Sequence, residues 1–344
     1  MEHLKRDATR FEVYDTAHAV AQQNGLTFVG KDELKQVVQH MEQSLLKETQ
    51  NPAMYYGLLN EARFSYVAAA LGKTVVVKRE DAGTVISSNT TMKVPDYRLV
   101  VAGGDEFFVE VKNKYEKLPK VQHTFTDAYF SSLEAYAAAF SRPLKFAIYW
   151  SPLNLWTLIS ADKLPFRNGK RAIGVLDAAK INEMAILGDM TIATKVPLTL
   201  RLLSDTAEPS TLSAEGEARF KIGGVELFCD GERLSGEDCK LAWYMMLYGQ
   251  WSELNQIPYM DGKRLIALDY IISPEVWEPK QGFAIIGQLS GMISRQFQQH
   301  TDPDGKQKLI RPLAEPGKFG ISIPDGYKSD RLPLWRFTIE PNYA

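Results

Sequence analysis

Between positions 52 and 160 the hydrophobic pattern switches from helical to extended and back. The stretch "PAMYYGLLNEARFSYVAAALG" (52–72) carries helix formers throughout, with a proline near its start and Gly72 at its stop, and predicts one long helix. The runs "TVVVKR", "PDYRLVV" and "EFFVEVK" are β-branched, aromatic and short, and predict three strands. A polar loop, "EDAGTVISSNTTMK", separates the first two, and a tight "AGGD" turn separates the second and third. A helix over 124–140 follows, then strands "LKFAIYW" and "LWTLIS". The order α-β-β-β-α-β-β implies an α/β fold in which helices flank a mixed sheet.

Residues 9–50 predict two helices broken at "NGLTFVG". Within the break, "GLTFVGKD" nearly matches a phosphate-binding loop, but Asp32 stands where Ser or Thr is required, and the preceding segment is helical rather than extended. It therefore reads as a helix–helix connection, with Lys31 and Asp32 opening the second helix. A helix over 177–188 and a strand "PLTLRLL" come next. At "SDTAEPSTLSAEGEA" (204–218) the pattern lapses, marking a linker. Beyond it lie a hairpin ("ARFKIGGVELFC"), a helix opened by a Ser235–Asp238 capping box, a strand ("RLIALDYII"), a helix over 282–300 and a tail ending "LPLWRFTIEPNY". Trp243, Tyr244, Met245, Met246, Tyr248 and Trp251 crowd the first of those helices, as core or subunit interface rather than a base-stacking surface.

Composition narrows the class only modestly. The chain has 344 residues, 45% of them hydrophobic and 24% charged, with a formal net charge of −2. Two domains are expected at this length, and any polyanion must be met by a local basic patch. Two cysteines, Cys229 and Cys239, make neither a disulfide framework nor a zinc motif. The charged N-terminus argues against a signal peptide, and no run approaches membrane-spanning length, so a cytoplasmic protein without a membrane partner is expected.

The charges of the central hairpin carry the chemistry. On a strand Glu110 and Lys112 share a face, while Val109 and Val111 share the other. Asp96 opens the preceding strand, so the turn brings it beside the end of the next. Two neighbouring carboxylates repel unless a proton or cation lies between them, and hard divalent cations prefer carboxylate oxygens. An ammonium at that point can orient a water.

Pro95-Asp96 followed by Glu110-Val111-Lys112, on adjacent predicted strands, resembles the signature of the PD-(D/E)xK nuclease superfamily. The resemblance spans about 52–160 and implies a restriction-endonuclease-like core, with N-terminal helices before it and a second α+β domain after it. It implies that Asp96, Glu110 and the Val111 carbonyl hold magnesium (or manganese), and that Lys112 positions the attacking water. Glu61, on the helix before the first strand, would reach the metal directly or through water. Read alone, Glu61 is equally a solvent-facing helix residue. Lys114, Lys117 and Lys120 follow the strand, either as contacts to nucleic-acid phosphates or as a solvated loop. His123 reads as a helix-start or surface histidine.

The expected organisation is an N-terminal helical segment (1–50), a nuclease domain (51–204), a linker (205–218) and an accessory domain for recognition or oligomerisation (219–344). The expected activity is metal-dependent hydrolysis of DNA phosphodiester bonds, in restriction or anti-phage defence, by a homodimer. RNA stays open as substrate. So do a resolvase or repair nuclease on branched or damaged DNA, and a non-cleaving nucleic-acid-binding subunit.

Overall fold

The computed structural model describes residues 1–3, 12–27, 30–82, 85–115, 122–167, 169–207, 213–215, 217, 219–302, 310–324 and 326–343. It divides into two compact units. One comprises Met1–Leu187, Phe297–Phe319 and Pro341–Ala344, and the other comprises Gly188–Gln296 and Gly320–Glu340.

The first unit opens with helices α1 (Glu12–Gln23), α2 (Lys31–Thr49) and α3 (Pro52–Ala70). The phosphate-loop near-miss does lead into α2 at Lys31. Asn51 caps α3 by accepting the Met54 N–H, and Pro52 takes the first turn, where no N–H is needed. Strands β1 (Thr74–Arg79), β2 (Tyr97–Val101) and β3 (Glu106–Lys114) follow. Gly103 and Gly104, both at positive φ, make the tight β2–β3 turn. Next come β4 (Gln122–Thr126), α4 (Asp127–Ala139), β5 (Leu144–Trp150), β6 (Leu155–Ser160), β7 (Phe166–Arg167), β8 (Lys170–Gly174) and α5 (Val175–Lys180).

The main sheet has the order β1-β2-β3-β5-β6. It is mixed: β3 and β5 run parallel, and the other neighbours are antiparallel. The α4 crossover makes that parallel pairing possible. Phe108, Phe130, Leu133, Phe146 and Ile148 fill the layer between sheet and α4. On the α3 side, Phe64 packs against Tyr97 and Trp156. Each such buried side chain contributes about 1.5–3 kcal/mol.

The second unit holds β9 (Thr191–Thr194), β10 (Leu198–Ser204), β11 (Ile222–Cys229), β12 (Glu232–Arg233), α6 (Glu237–Tyr248), β13 (Ser252–Asp261), β14 (Arg264–Ser273), β15 (Ala284–Gln288), α7 (Leu289–Thr301, to Gln296 in this unit) and β16 (Leu334–Phe337). Its larger sheet runs β12-β11-β10-β14-β13, and the segment 205–218 connects the paired strands β10 and β11. Tyr244, Met245, Tyr248 and Trp251 are buried, while Trp243 is exposed.

Four local expectations are corrected. The helix expected over 124–140 begins only at Asp127, because 122–126 form β4 and pair with β8. The helix expected over 177–188 is split into α5 and a 3-10 turn at Met184–Leu187. The helix expected over 282–300 starts at Leu289: Ala284–Gln288 pair with β9, and Gly287, at φ 141°, bends the chain. The Ser235–Asp238 capping box does not form, since Asp238 accepts instead from Tyr327 Oη (2.6 Å) and Ser329 Oγ (2.7 Å).

Candidate metal centre

The site grows from the point where the β2–β3 ladder ends. Tyr97 is the last residue of β2 to pair, opposite Val109. One step further, Asp96 faces the level of Glu110, but instead of continuing the ladder its carboxylate accepts the Val111 backbone N–H at 2.6 Å. Asp96 Oδ2 thus takes the place of a main-chain acceptor in the sheet. Phe108, Glu110 and Lys112 share one face by strand alternation, and Phe108 packs on Tyr136 and Phe140 beside α4. Tyr97, Val109 and Val111 share the other face, and the Tyr97 hydroxyl donates to the Glu61 carbonyl on α3 at 3.0 Å. At the open end of the ladder Asp96 meets groups from both sides.

Glu110 is 1% exposed, deep enough that its charge must be matched. Its Oε1 accepts from Lys112 Nζ at 2.6 Å and from the Tyr129 hydroxyl, with Lys93 Nζ at 3.6 Å. Lys93 also donates to Tyr129 Oη at 2.8 Å. The other oxygen, Oε2, is buried with no hydrogen-bond partner. A buried carboxylate oxygen left without a donor is costly unless a ligand completes it.

On the α3 side, one carboxylate oxygen each from Glu61, Asp81 and Asp96 lie within 4.8 Å of one another. Arg79 binds Asp81 (Nε to Oδ1, 2.8 Å) and reaches to 3.9 Å from Glu61 Oε2. Burial pushes the Asp96 pKa up to about 8, helped by the negative charges of Glu110 and Glu61 and opposed by Lys112 and the Val111 N–H. Burial also raises Glu61, with Asp81 and Glu110 adding to it against Arg79 and Lys112. The Lys112 pKa is raised as well. Burial works against its ammonium, but Glu110, Tyr129 and Asp96 outweigh that and raise its pKa. This is a cluster short of positive charge. The three carboxylate oxygens of Glu61, Asp81 and Asp96 are compatible with a divalent cation, and Glu110, which carries the orphaned Oε2, is not one of those three.

Of the residues expected from sequence, Glu61, Asp96, Glu110 and Lys112 are therefore electrostatically coupled in one place. Lys114 closes β3 and, with Lys112, adds to the burial that lowers the His123 pKa to about 4. Lys117 and Lys120 lie outside the described residues. His123 corrects the expectation of a helix-start or surface position: it sits on β4, half-buried, against the Phe125 ring at 4.5 Å. Asp81 and Lys93 were not anticipated. Asp81 lies two residues past β1 in the charged "KRED" stretch, a signal that was available; Lys93 ends a loop with no periodicity to place it.

No family model and no curated protein matches the chain. Among solved structures, a Holliday junction resolvase from the archaeal hyperthermophile Archaeoglobus fulgidus is similar over 29% of this chain and 74% of its own, at 18% identity and a TM-score of 0.24. Among the described residues no helix is long and apolar enough to cross a membrane.

Proposed function

We propose that this protein is a divalent-metal-dependent nuclease that hydrolyses DNA phosphodiester bonds. The observation that carries the reading is the buried Glu110 Oε2, unpartnered beside an Asp96 carboxyl already anchored by the Val111 N–H. Asp96, Glu110 and the Val111 carbonyl would hold magnesium or manganese, with Glu61 completing the set directly or through water. Bound there, the cation would supply Lewis-acid polarisation of a phosphodiester oxygen and acidify a nearby water.

The chain's own residues do the positioning. Lys112, charged and held 2.6 Å from Glu110 Oε1, orients the attacking water and keeps its lone pair toward phosphorus. Tyr129 and Lys93 fix the Glu110 carboxylate by engaging the oxygen that the metal does not need. In-line attack leaves 5′-phosphate and 3′-hydroxyl ends. Lys114, Lys117 and Lys120 would contact flanking phosphates.

In this reading the unit of Met1–Leu187 and Phe297–Phe319 is the nuclease, and the unit of Gly188–Gln296 and Gly320–Glu340 supplies recognition or oligomerisation. Double-strand cleavage needs two such sites, hence a homodimer, acting in the cytoplasm in restriction or anti-phage defence. A resolvase or repair role shares the chemistry and differs only in substrate. Incubating the protein with plasmid, linear, branched and single-stranded DNA, and with RNA, in magnesium or EDTA tests the proposal. Magnesium-dependent cleavage of one class supports it and names the substrate. Cleavage that persists in EDTA, or none in any condition, counts against it.

A further inference from the structure

A cavity of about 310 Å³ opens on the α3 side of Glu61, entirely within the first unit. Leu58, Ala62, Tyr97 and Ile310 give it apolar walls, Glu61 forms its acidic edge, and Arg79 and Arg311 line it with guanidinium groups. The two arginines are not equivalent. Arg79 is committed to Asp81 through two contacts, 2.8 and 3.3 Å, so its charge is already answered. Arg311 is exposed, and among the described residues it makes no ion pair. Its field nonetheless reaches the site, since it lowers the pKa of Tyr97 against the dominant effect of burial.

An arginine with no counter-ion among the described residues, in the wall of a cavity beside three carboxylates, is suited to an anion entering with an apolar group attached. Guanidinium matches phosphate geometry with two parallel donors, which a hydrated lysine does not. The volume sits at the small end of ligand-binding cavities, about 300–1,000 Å³, and suits one nucleotide. The Tyr97 hydroxyl is engaged by the Glu61 carbonyl at 3.0 Å, so that wall is held in place.

We infer that this cavity binds one nucleotide of the substrate strand beside the scissile phosphodiester, with its phosphate on Arg311 and its sugar or base against Leu58 and Ile310. The location relative to the scissile bond rests on the nuclease reading; the nucleotide site itself does not. Glu61 then joins the two subsites, facing the metal centre on one side and the cavity on the other. The bound nucleotide fixes the position of the next phosphate in the strand, which makes Arg311 a positioning residue whose loss falls on KM more than on kcat.

The test has two arms. In EDTA, calorimetric titration with deoxyadenosine monophosphate compares the wild type with Arg311→Ala and Arg311→Lys, both at an exposed position that leaves the core intact. The wild type binds, Arg311→Ala weakens binding about tenfold or more, and Arg311→Lys recovers only part of it. In magnesium, steady-state cleavage of a short single-stranded DNA shows KM raised about fivefold or more in Arg311→Ala, with kcat changed less than about twofold. No nucleotide binding by the wild type, or equal binding by Arg311→Ala, overturns the cavity assignment even where DNA is cleaved. Arg311-dependent nucleotide binding without any cleavage in magnesium or manganese upholds the cavity and removes the nuclease reading instead.

Discussion

Asp96 Oδ2 accepts the Val111 backbone N–H at 2.6 Å, and this one bond ties the start of β2 to the strand that carries Glu110 and Lys112. It substitutes a side chain for a ladder bond where the ladder stops. The carboxylate is thereby held at the edge between the α3 and α4 faces, within reach of Glu61 on one and coupled to Glu110 on the other. Side-chain placement of this kind depends on the backbone as much as on the side chains.

Lys112→Ala is expected to lower DNA cleavage by about a thousandfold, because it removes the group proposed to orient the water. Glu110 keeps Tyr129 and Lys93 as partners, so the thermal midpoint should shift by only a few degrees. Cleavage rates and melting curves on the same preparations separate the two effects. Wild-type rates in this variant would remove Lys112 from the mechanism.

Tyr129→Phe removes the hydroxyl that donates to Glu110 Oε1 and accepts from Lys93. The carboxylate then loses part of the support that fixes its orientation. The magnesium concentration for half-maximal cleavage is expected to rise about tenfold, as for other residues that hold metal ligands in place. A magnesium titration of the activity measures this directly.

Much of this site was legible because strand alternation is strict. Glu110 and Lys112 two apart, and Asp96 at the mouth of a tight hairpin, can hardly avoid one another once β2 and β3 pair. The helix carrying Glu61 was equally plain from its early proline and its glycine stop. What could not be read came from segments without period. Lys93 and Asp81 lie at the ends of the polar loop 80–93, whose path depends on tertiary contacts such as the Lys93 N–H to the Ser132 carbonyl. The strand β4 was hidden because its residues are mostly exposed and polar, and β13 because all ten of its residues are exposed. Arg311 lies more than two hundred residues from Glu61 in sequence, and only the fold brings it to the cavity.

Glu80 anchors the sheet edge next to the site. It is buried and accepts from Lys78 (2.7 Å), Arg98 (2.9 Å) and the Tyr136 hydroxyl (2.9 Å). Glu80→Ala leaves Arg98 and Tyr136 without their shared acceptor and is expected to cost on the order of 2–4 kcal/mol. Urea unfolding gives the value, and a loss below about 0.5 kcal/mol would show that the network is dispensable.

Asp189 gives a pH signature. Its buried carboxylate accepts from Ser290 N–H (2.9 Å), Ser290 Oγ (2.6 Å) and Met190 N–H (3.0 Å), capping α7. Burial nevertheless pushes its pKa up to about 6, above the ordinary 3.8, with the hydrogen bonds opposing. The native state therefore holds this proton more tightly than the unfolded chain. Its contribution to stability is full below about pH 4 and declines as pH rises through about 6, by on the order of 2–3 kcal/mol. Asp189→Asn cannot titrate, so the wild-type minus variant stability should fall across that window and stay flat above about pH 7. A difference that rises with pH would reverse the sign.

The most direct measurement is manganese binding, followed by electron paramagnetic resonance of the free ion, in the wild type, Glu110→Gln and Asp96→Asn. The account predicts saturable binding by the wild type and affinity weakened about tenfold or more in each variant, with circular dichroism unchanged. Indistinguishable isotherms for the three proteins, or no binding by the wild type, would contradict it.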